Sequence, residues 1–209
     1  YSKNFIEIQD FGNQTIYSLL KKDKSKKLII FKQIIKLLVK IQLIRERRIK
    51  NFKKKYYQIP IYHTKILLEE AKIFTDWFVP QKLPKAQQII FKKKFIKILN
   101  NLTKKIRLKN NVFVHRDFHV SNLMMVKEKI GVIDTQDALI GNKAYDLASL
   151  IDDVRFKTSE NDKKNVFDHY LKSQKKMNIK YFKNDFEIVS VLRNLKIIGI
   201  FTRLAIRDD

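Results

Sequence analysis

Apolar residues recur at helical spacing over most of this chain. Leu28, Phe31, Ile35, Leu38, Val39 and Leu43 form one stripe, which predicts an amphipathic helix from about Ser25 to Arg48. Thr64 to about Phe78 predicts a second helix, stopped ahead of Pro80. Pro84 opens a third, reaching about Leu108, with Ile89, Ile90, Phe95, Ile98 and Leu99 along it. Asp146 stands where an N-cap carboxylate would accept the free first-turn amides of a helix through Val154. Two more helices are expected over Lys163–Lys176 and Asp185–Ile206. Between the third helix and Asp146 the period changes. Asn111–Val114, Leu123–Val126 and Ile130–Ile133 are short β-branched or apolar runs that read as strands. The polar turn Lys127-Glu128-Lys129 joins the last two into a hairpin. A further strand, Phe5–Ile8, leads into the turn Gln9-Asp10-Phe11-Gly12-Asn13. The expected class is α+β, mainly helical, with one small β-hairpin.

Polar residues around these strands carry the candidate chemistry. His115-Arg116-Asp117-Phe118-His119-Val120-Ser121-Asn122 follows the first central strand, and Asp134 ends the hairpin. With arms of equal length, Asn122 and Asp134 would lie side by side, where opposed Cα atoms are roughly 4.5–5.5 Å apart. Both could then reach one Mg²⁺, whose oxygen ligands stand at about 2.0–2.1 Å. Asp117, on the loop before Asn122, would point to the other side of the metal, toward an acceptor hydroxyl. Phosphoryl transfer from a magnesium nucleotide needs such a set: one orienting carboxylate and two metal ligands. The plain alternative is a polar hairpin with an Asp-rich entry. H-x-D or D-x-x-x-x-N alone would deserve that reading; the joint pattern of strand, loop, hairpin and terminal aspartate is far more specific.

Composition narrows the setting. A chain of 209 residues can bury a real core, and one domain is the natural expectation. Cysteine is absent, which excludes disulfides and thiolate zinc sites. His115 and His119 could share a metal, but a phosphotransfer loop accounts for both. No signal segment is recognisable, and lysines interrupt every apolar run before the roughly 18 residues of a membrane span. A soluble, cytoplasmic protein without a membrane span is therefore expected. The net charge of +24 would by itself point to nucleic acid or an anionic membrane. Lysine far outnumbers arginine, however, and arginine is the residue favoured for base and bidentate phosphate contacts. This weighs against dedicated nucleic-acid binding. The densest basic run, Arg45 to Lys55, reads as a solvated helix end and loop.

The stretch from Val112 to Asp153 resembles the catalytic core of the aminoglycoside-phosphotransferase-like kinases, which share the protein-kinase fold. Val114-His115-Arg116-Asp117-Phe118-His119, Asp134-Thr135-Gln136-Asp137-Ala138 and Tyr145-Asp146-Leu147-Ala148-Ser149-Leu150 are similar to one branch of that family. That branch holds bacterial kinases of N-acetylmuramate and N-acetylglucosamine, which act at the anomeric hydroxyl. Thr135, Asn142-Lys143 and Ser121 depart from its usual residues. The resemblance implies ATP and Mg²⁺ as cofactors and a small-molecule sugar as substrate. It makes Asp117 the catalytic residue, gives the metal to Asn122 and Asp134, and has His115, Arg116 and Asp146 brace the loop. The Gln9 carbonyl and Phe11 amide would bind adenine at a hinge.

On this resemblance, residues 1–13 would be a hinge strand and linker, and 14–209 the C-terminal lobe of a kinase-like fold. The catalytic loop would span 115–122 and the metal hairpin 123–134. Asp137, Gln136, Glu70 and Trp77 are substrate candidates, since tryptophan stacks on sugar faces and carboxylates accept sugar hydroxyls. A core-anchoring Trp77 and a surface Glu70 are the ordinary alternatives. The chain shows no glycine-rich phosphate loop, so an N-terminal lobe is expected to be largely absent and the isolated chain to have little activity. An aminoglycoside or other small-molecule kinase is the enzymatic alternative. A non-catalytic kinase-like scaffold holding an anionic partner is the alternative of another class.

Overall fold

Two apolar clusters meet on one short helix, and the rest of the chain is arranged around them. The computed structural model describes residues 8–51 and 53–207, so residues 5–7 of the expected first strand lie outside the described residues. The first cluster takes α1 (Ile16–Lys22), the inner face of α2 (Lys27–Ile41), Phe118, Val120 and Leu123. The second joins Tyr62, Leu67, Ala71, Leu99, Val112 and Val114 to Ile188, Val189 and Leu192. All seven residues of α5 (Tyr145–Ile151) are buried, and they contribute to both clusters. The architecture is α+β and mainly helical, with three small two-stranded sheets among the described residues.

Several helix ends differ from the periodicity, each because a polar group found another partner. The helix expected to reach Arg48 stops at Ile41, where Gln42 turns inward. Its amide donates to the Lys143 carbonyl at 2.9 Å, and its oxygen accepts from the Tyr170 hydroxyl at 2.6 Å. The basic run beyond it is not simply helix end and loop. It holds an exposed hairpin of β1 (Arg48–Lys50) and β2 (Tyr56–Gln58), in which Arg48 and Lys50 lie over the Tyr56 ring at 5.6 and 6.0 Å.

The second helix does not stop ahead of Pro80. α3 (Thr64–Ile73) widens into a π turn over Phe74–Phe78 and tightens into a 3₁₀ turn over Val79–Gln81. Proline is tolerated there because the first turn of a helix has no intrahelical use for its N–H. The widening sits where α7 (Ile179–Arg207) crosses at Gly199. A Cβ on Gly199 would lie 2.5 Å from the Ile73 carbonyl carbon and 2.6 Å from the Phe74 nitrogen.

α4 (Lys85–Thr103) ends short of Leu108 for a comparable reason. The amides of Arg107 and Leu108 both donate, at 2.8 Å, to the fully buried carboxylate of Asp185. α6 (Glu160–Lys172) starts earlier than expected, on a Ser159/Asp162 capping box, and α7 starts well before Asp185. Asp146 is not the N-cap of α5. It lies inside the first turn, with its carboxylate turned away from its own helix.

β3 (Val112–Val114) pairs antiparallel with β6 (Leu139–Gly141), a strand the sequence pattern did not announce. β4 (Leu123–Val126) and β5 (Lys129–Val132) form the expected hairpin, but its turn is shorter, only Lys127-Glu128. Lys127 adopts a left-handed φ of 57°, which suits a tight hairpin turn. The shorter turn shifts the register, so Asn122 faces Ile133 and not Asp134: the Ile133 amide donates to the Asn122 carbonyl at 3.1 Å. Among the described residues no helix is long and apolar enough to cross a membrane.

The Gly199 crossing can be tested directly. Alanine is favoured over glycine in a helix by about 1 kcal/mol, yet the added methyl group would meet backbone atoms that cannot yield. Gly199→Ala is expected to lower the free energy of unfolding by about 1–3 kcal/mol in denaturant titrations, whereas a gain would show that the two helices do not approach so closely.

Candidate active site

β3 delivers the chain into the loop at His115, and Asp146 receives it there. One oxygen of Asp146 accepts the His115 amide at 2.8 Å and the other the Arg116 amide at 3.0 Å. Burial pushes this carboxyl up to about 6, while both amides and the nearby His115 pull the other way. Arg116 is left-handed, with φ at 75°, a strained conformation for a residue with a side chain. Beyond it the chain turns sharply: the His119 amide donates to the Asp117 carbonyl at 3.0 Å and the Asn122 amide to the His119 carbonyl at 2.9 Å.

Hydrogen bonds join Asp117, Asn122 and Ile133, the residue before Asp134. The Asn122 side-chain amide donates to the Asp117 carbonyl at 3.0 Å, which leaves its oxygen free. The Asn122 backbone pairs with Ile133, and the Ile133 carbonyl accepts from His115 Nε2 at 2.8 Å. Asp134 follows at once, with a left-handed φ of 66° that turns it out of the strand path. Asp134 is exposed, and Asp117 and Asn122 are half-buried. Among the described residues no group of three or more His, Asp or Glu side chains forms a metal cluster. Two carboxylates and an amide oxygen nonetheless suit magnesium, which prefers few protein oxygens and completes its shell from phosphate and water.

Glu70 has a different place from the one expected of a sugar-binding surface residue. One oxygen accepts from Arg116 Nη2 at 2.5 Å and from Lys196 Nζ at 3.1 Å, and the other accepts from the Tyr62 hydroxyl. The Tyr62 and Tyr145 hydroxyls are 3.1 Å apart, and the Arg116 guanidinium lies over the Tyr62 ring at 5.7 Å. Burial raises the pKa of both phenols. Burial would lower that of Arg116, but the Glu70 charge more than reverses this. With both oxygens committed internally, Glu70 braces Arg116. Sequence reasoning missed Tyr62, Tyr145 and Lys196; only a lysine inside the apolar run Leu195–Gly199 hinted at a buried cation.

The remaining candidates divide by place. Gln136 and Asp137 are exposed; Gln136 donates to the Asp134 carboxylate, and the Asp137 carbonyl accepts from Arg116 Nη1 at 3.4 Å. Trp77 is half-buried within the π turn. Gln9 is exposed, whereas the Phe11 ring packs on Gly131, where a Cβ would come within 2.9 Å of it. Gln14 then accepts from the Met125 amide at 2.8 Å, docking this segment along the hairpin.

Residues 10–178 match the model of the phosphotransferase enzyme family, APH, and the chain belongs to that family. Its relatives include the N-acetylmuramate/N-acetylglucosamine kinase of Neisseria meningitidis serogroup B, 29% identical over 98% of this chain and 61% of that protein. The kinase of the same name from Pseudomonas aeruginosa is 27% identical over 98% of this chain and 59% of its own length. The chain thus spans about three-fifths of the curated relatives it matches. A crystal structure of spectinomycin phosphotransferase with ADP and spectinomycin aligns over 95% of this chain and 59% of that one, at 17% identity and a TM-score of 0.49.

His119 gives the site a pH signature. Burial first, and then the Arg155 charge, lower its pKa from 6.5, against the opposing pull of Asp153 and Asp117. The unfolded chain therefore binds more protons than the folded one just below pH 6.5, and stability from neutral His119 is lost as the pH falls through that window. Replacing it by His119→Gln is expected to flatten the difference between wild-type and variant unfolding free energies above pH 6.5 and open a slope below it. Parallel curves across that range would contradict a buried neutral His119.

Proposed function

We propose that this chain provides the acceptor and metal side of an ATP-dependent small-molecule kinase. The observation that carries this reading is the hydrogen-bonded path joining Asp117, Asn122 and the Ile133–Asp134 corner. On this reading it would hold two carboxylates and an amide oxygen at one end of the hairpin. Asp117 would accept a hydrogen bond from the acceptor hydroxyl, aligning its oxygen for in-line attack on the γ-phosphate and receiving its proton as the bond to phosphorus forms. The free oxygen of Asn122 and the Asp134 carboxylate would hold Mg²⁺, which when bound neutralises charge on the transferring phosphoryl group. Positioning and electrostatics supply most of the rate in such reactions. Arg116, held by Glu70 on the side away from solvent, would act by fixing the loop rather than by touching phosphate.

In this reading residues 14–209 are the C-terminal lobe of a kinase-like fold. Residues 9–13 are the linker toward a nucleotide-covering lobe, with adenine against the Gln9 carbonyl and the Phe11 amide. The packing of Phe11 on Gly131 supports this, because it sets the segment beside the metal hairpin. The favoured acceptor is the anomeric hydroxyl of N-acetylmuramate or N-acetylglucosamine, as in cell-wall recycling. Its support is the similarity to relatives so named and the exposed Gln136 and Asp137 just beyond Asp134.

The full-length protein is expected to consume Mg-ATP with N-acetylmuramate and to lose about 10²–10⁴-fold in kcat on Asp117→Asn, with the KM for ATP little changed. Undiminished turnover by that variant would remove Asp117 from the chemistry. Turnover with an aminoglycoside but not with the amino sugars would overturn the acceptor while leaving Asp117 in place.

A further inference from the structure

Several buried or half-buried cations among the described residues have a carboxylate beside them. Lys27 pairs with Asp162 at 2.6 Å, and Arg116 and Lys196 share Glu70. One cavity breaks that pattern. It is a half-open cavity of about 360 Å³ between the end of α2, the segment after α4 and the approach to α7. Five of its lining side chains are cationic: half-buried Lys143 and the exposed Arg45, Arg107, Lys109 and Lys176. No aspartate or glutamate lines it, and among the described residues none of the five forms an ion pair.

Its inner wall also holds donors ready for an acceptor. Lys143 is half-buried and donates to Gln174 Oε1 at 2.8 Å, while the Gln174 side-chain nitrogen is buried with no partner. Burial, and then the charge of Arg45, lower the pKa of Lys143. Asn178, at the rim, accepts from the Tyr181 amide and so caps the positive end of the long helix α7 toward the cavity. The cavity begins at Asn111 and Val112, the end of β3 opposite His115, and shares no residue with the loop or the metal hairpin.

We infer that this cavity is a second anion site, built for a small, multiply charged phosphate compound with two or three phosphoryl groups. Several unpaired cations call for more charge than the roughly −1.5 to −2 of a single phosphate group. The site lies apart from the proposed magnesium ligands, so its occupancy does not require metal.

Inorganic triphosphate titrated into the full-length protein in EDTA, followed by calorimetry, tests this. The expected result is one saturable site, weakened at least about tenfold by combined Arg107→Gln and Lys143→Gln. Lys36→Gln with Lys40→Gln on α2, the same change in net charge, should leave it nearly unaltered. If the first pair fails to fold by circular dichroism, exposed Lys176→Gln alone should still weaken binding several-fold. Equal weakening by both pairs, or no saturable site, would reduce the effect to the overall charge of +24 and overturn the inference. Displacement of triphosphate by a short DNA duplex at equal phosphate concentration would also overturn it, in favour of a nucleic-acid surface.

Discussion

The buried carboxylate of Asp146 is the contact on which the loop and hairpin depend. It sits on the helix shared by both apolar clusters, and it accepts the amides of His115 and Arg116 just where β3 ends. A left-handed residue with a side chain costs about 1–3 kcal/mol. Two hydrogen bonds to a charged acceptor return about 1.5–3 kcal/mol each, so the strained geometry at Arg116 can persist. Without that clamp the chain would have no reason to reverse at Arg116, and Asp117 would not be presented beside Asn122.

Two further devices make the clamp directional. Glu70 pulls the Arg116 side chain inward, toward Lys196 on α7 and the paired tyrosines, while His115 ties the loop to the carbonyl of Ile133. The loop is thus fastened on its inner side to α3 and α7 and on its outer side to the hairpin. Asp134 at the end of the hairpin is exposed, and Asp117 and Asn122 are half-buried. The close crossing of α7 over α3 at Gly199 brings Lys196 within reach of Glu70, so a packing detail of two helices bears on the site.

Much of this was legible in the sequence, for reasons that also explain the misses. The helix around Phe31, Ile35 and Leu38 and the hairpin runs of β4 and β5 follow local periodicity and formed, although Leu28 and Leu43 of the expected stripe are exposed and β5 starts one residue early. The register of the hairpin did not follow from periodicity. It turns on whether Lys129 belongs to the turn or the strand, a choice decided by a left-handed Lys127 that lysine does not advertise. Helix ends were misjudged where a distant group intervened: Asp185 captured the amides after α4, and Gln42 turned in toward Tyr170. Glu70 looked like a surface carboxylate because its partners, Tyr62, Arg116 and Lys196, are far from it in sequence. Long-range polar capture leaves no periodic trace.

The central claim is that Asn122 and Asp134, beside Asp117, make a metal-nucleotide centre. Paramagnetic relaxation by Mn²⁺-ADP, read on the backbone amides of the full-length protein, tests it most directly. Broadening should be strongest at Asn122, Ile133 and Asp134 and should vanish in Asp134→Ala. Broadening centred elsewhere, or unchanged in that variant, would contradict the account.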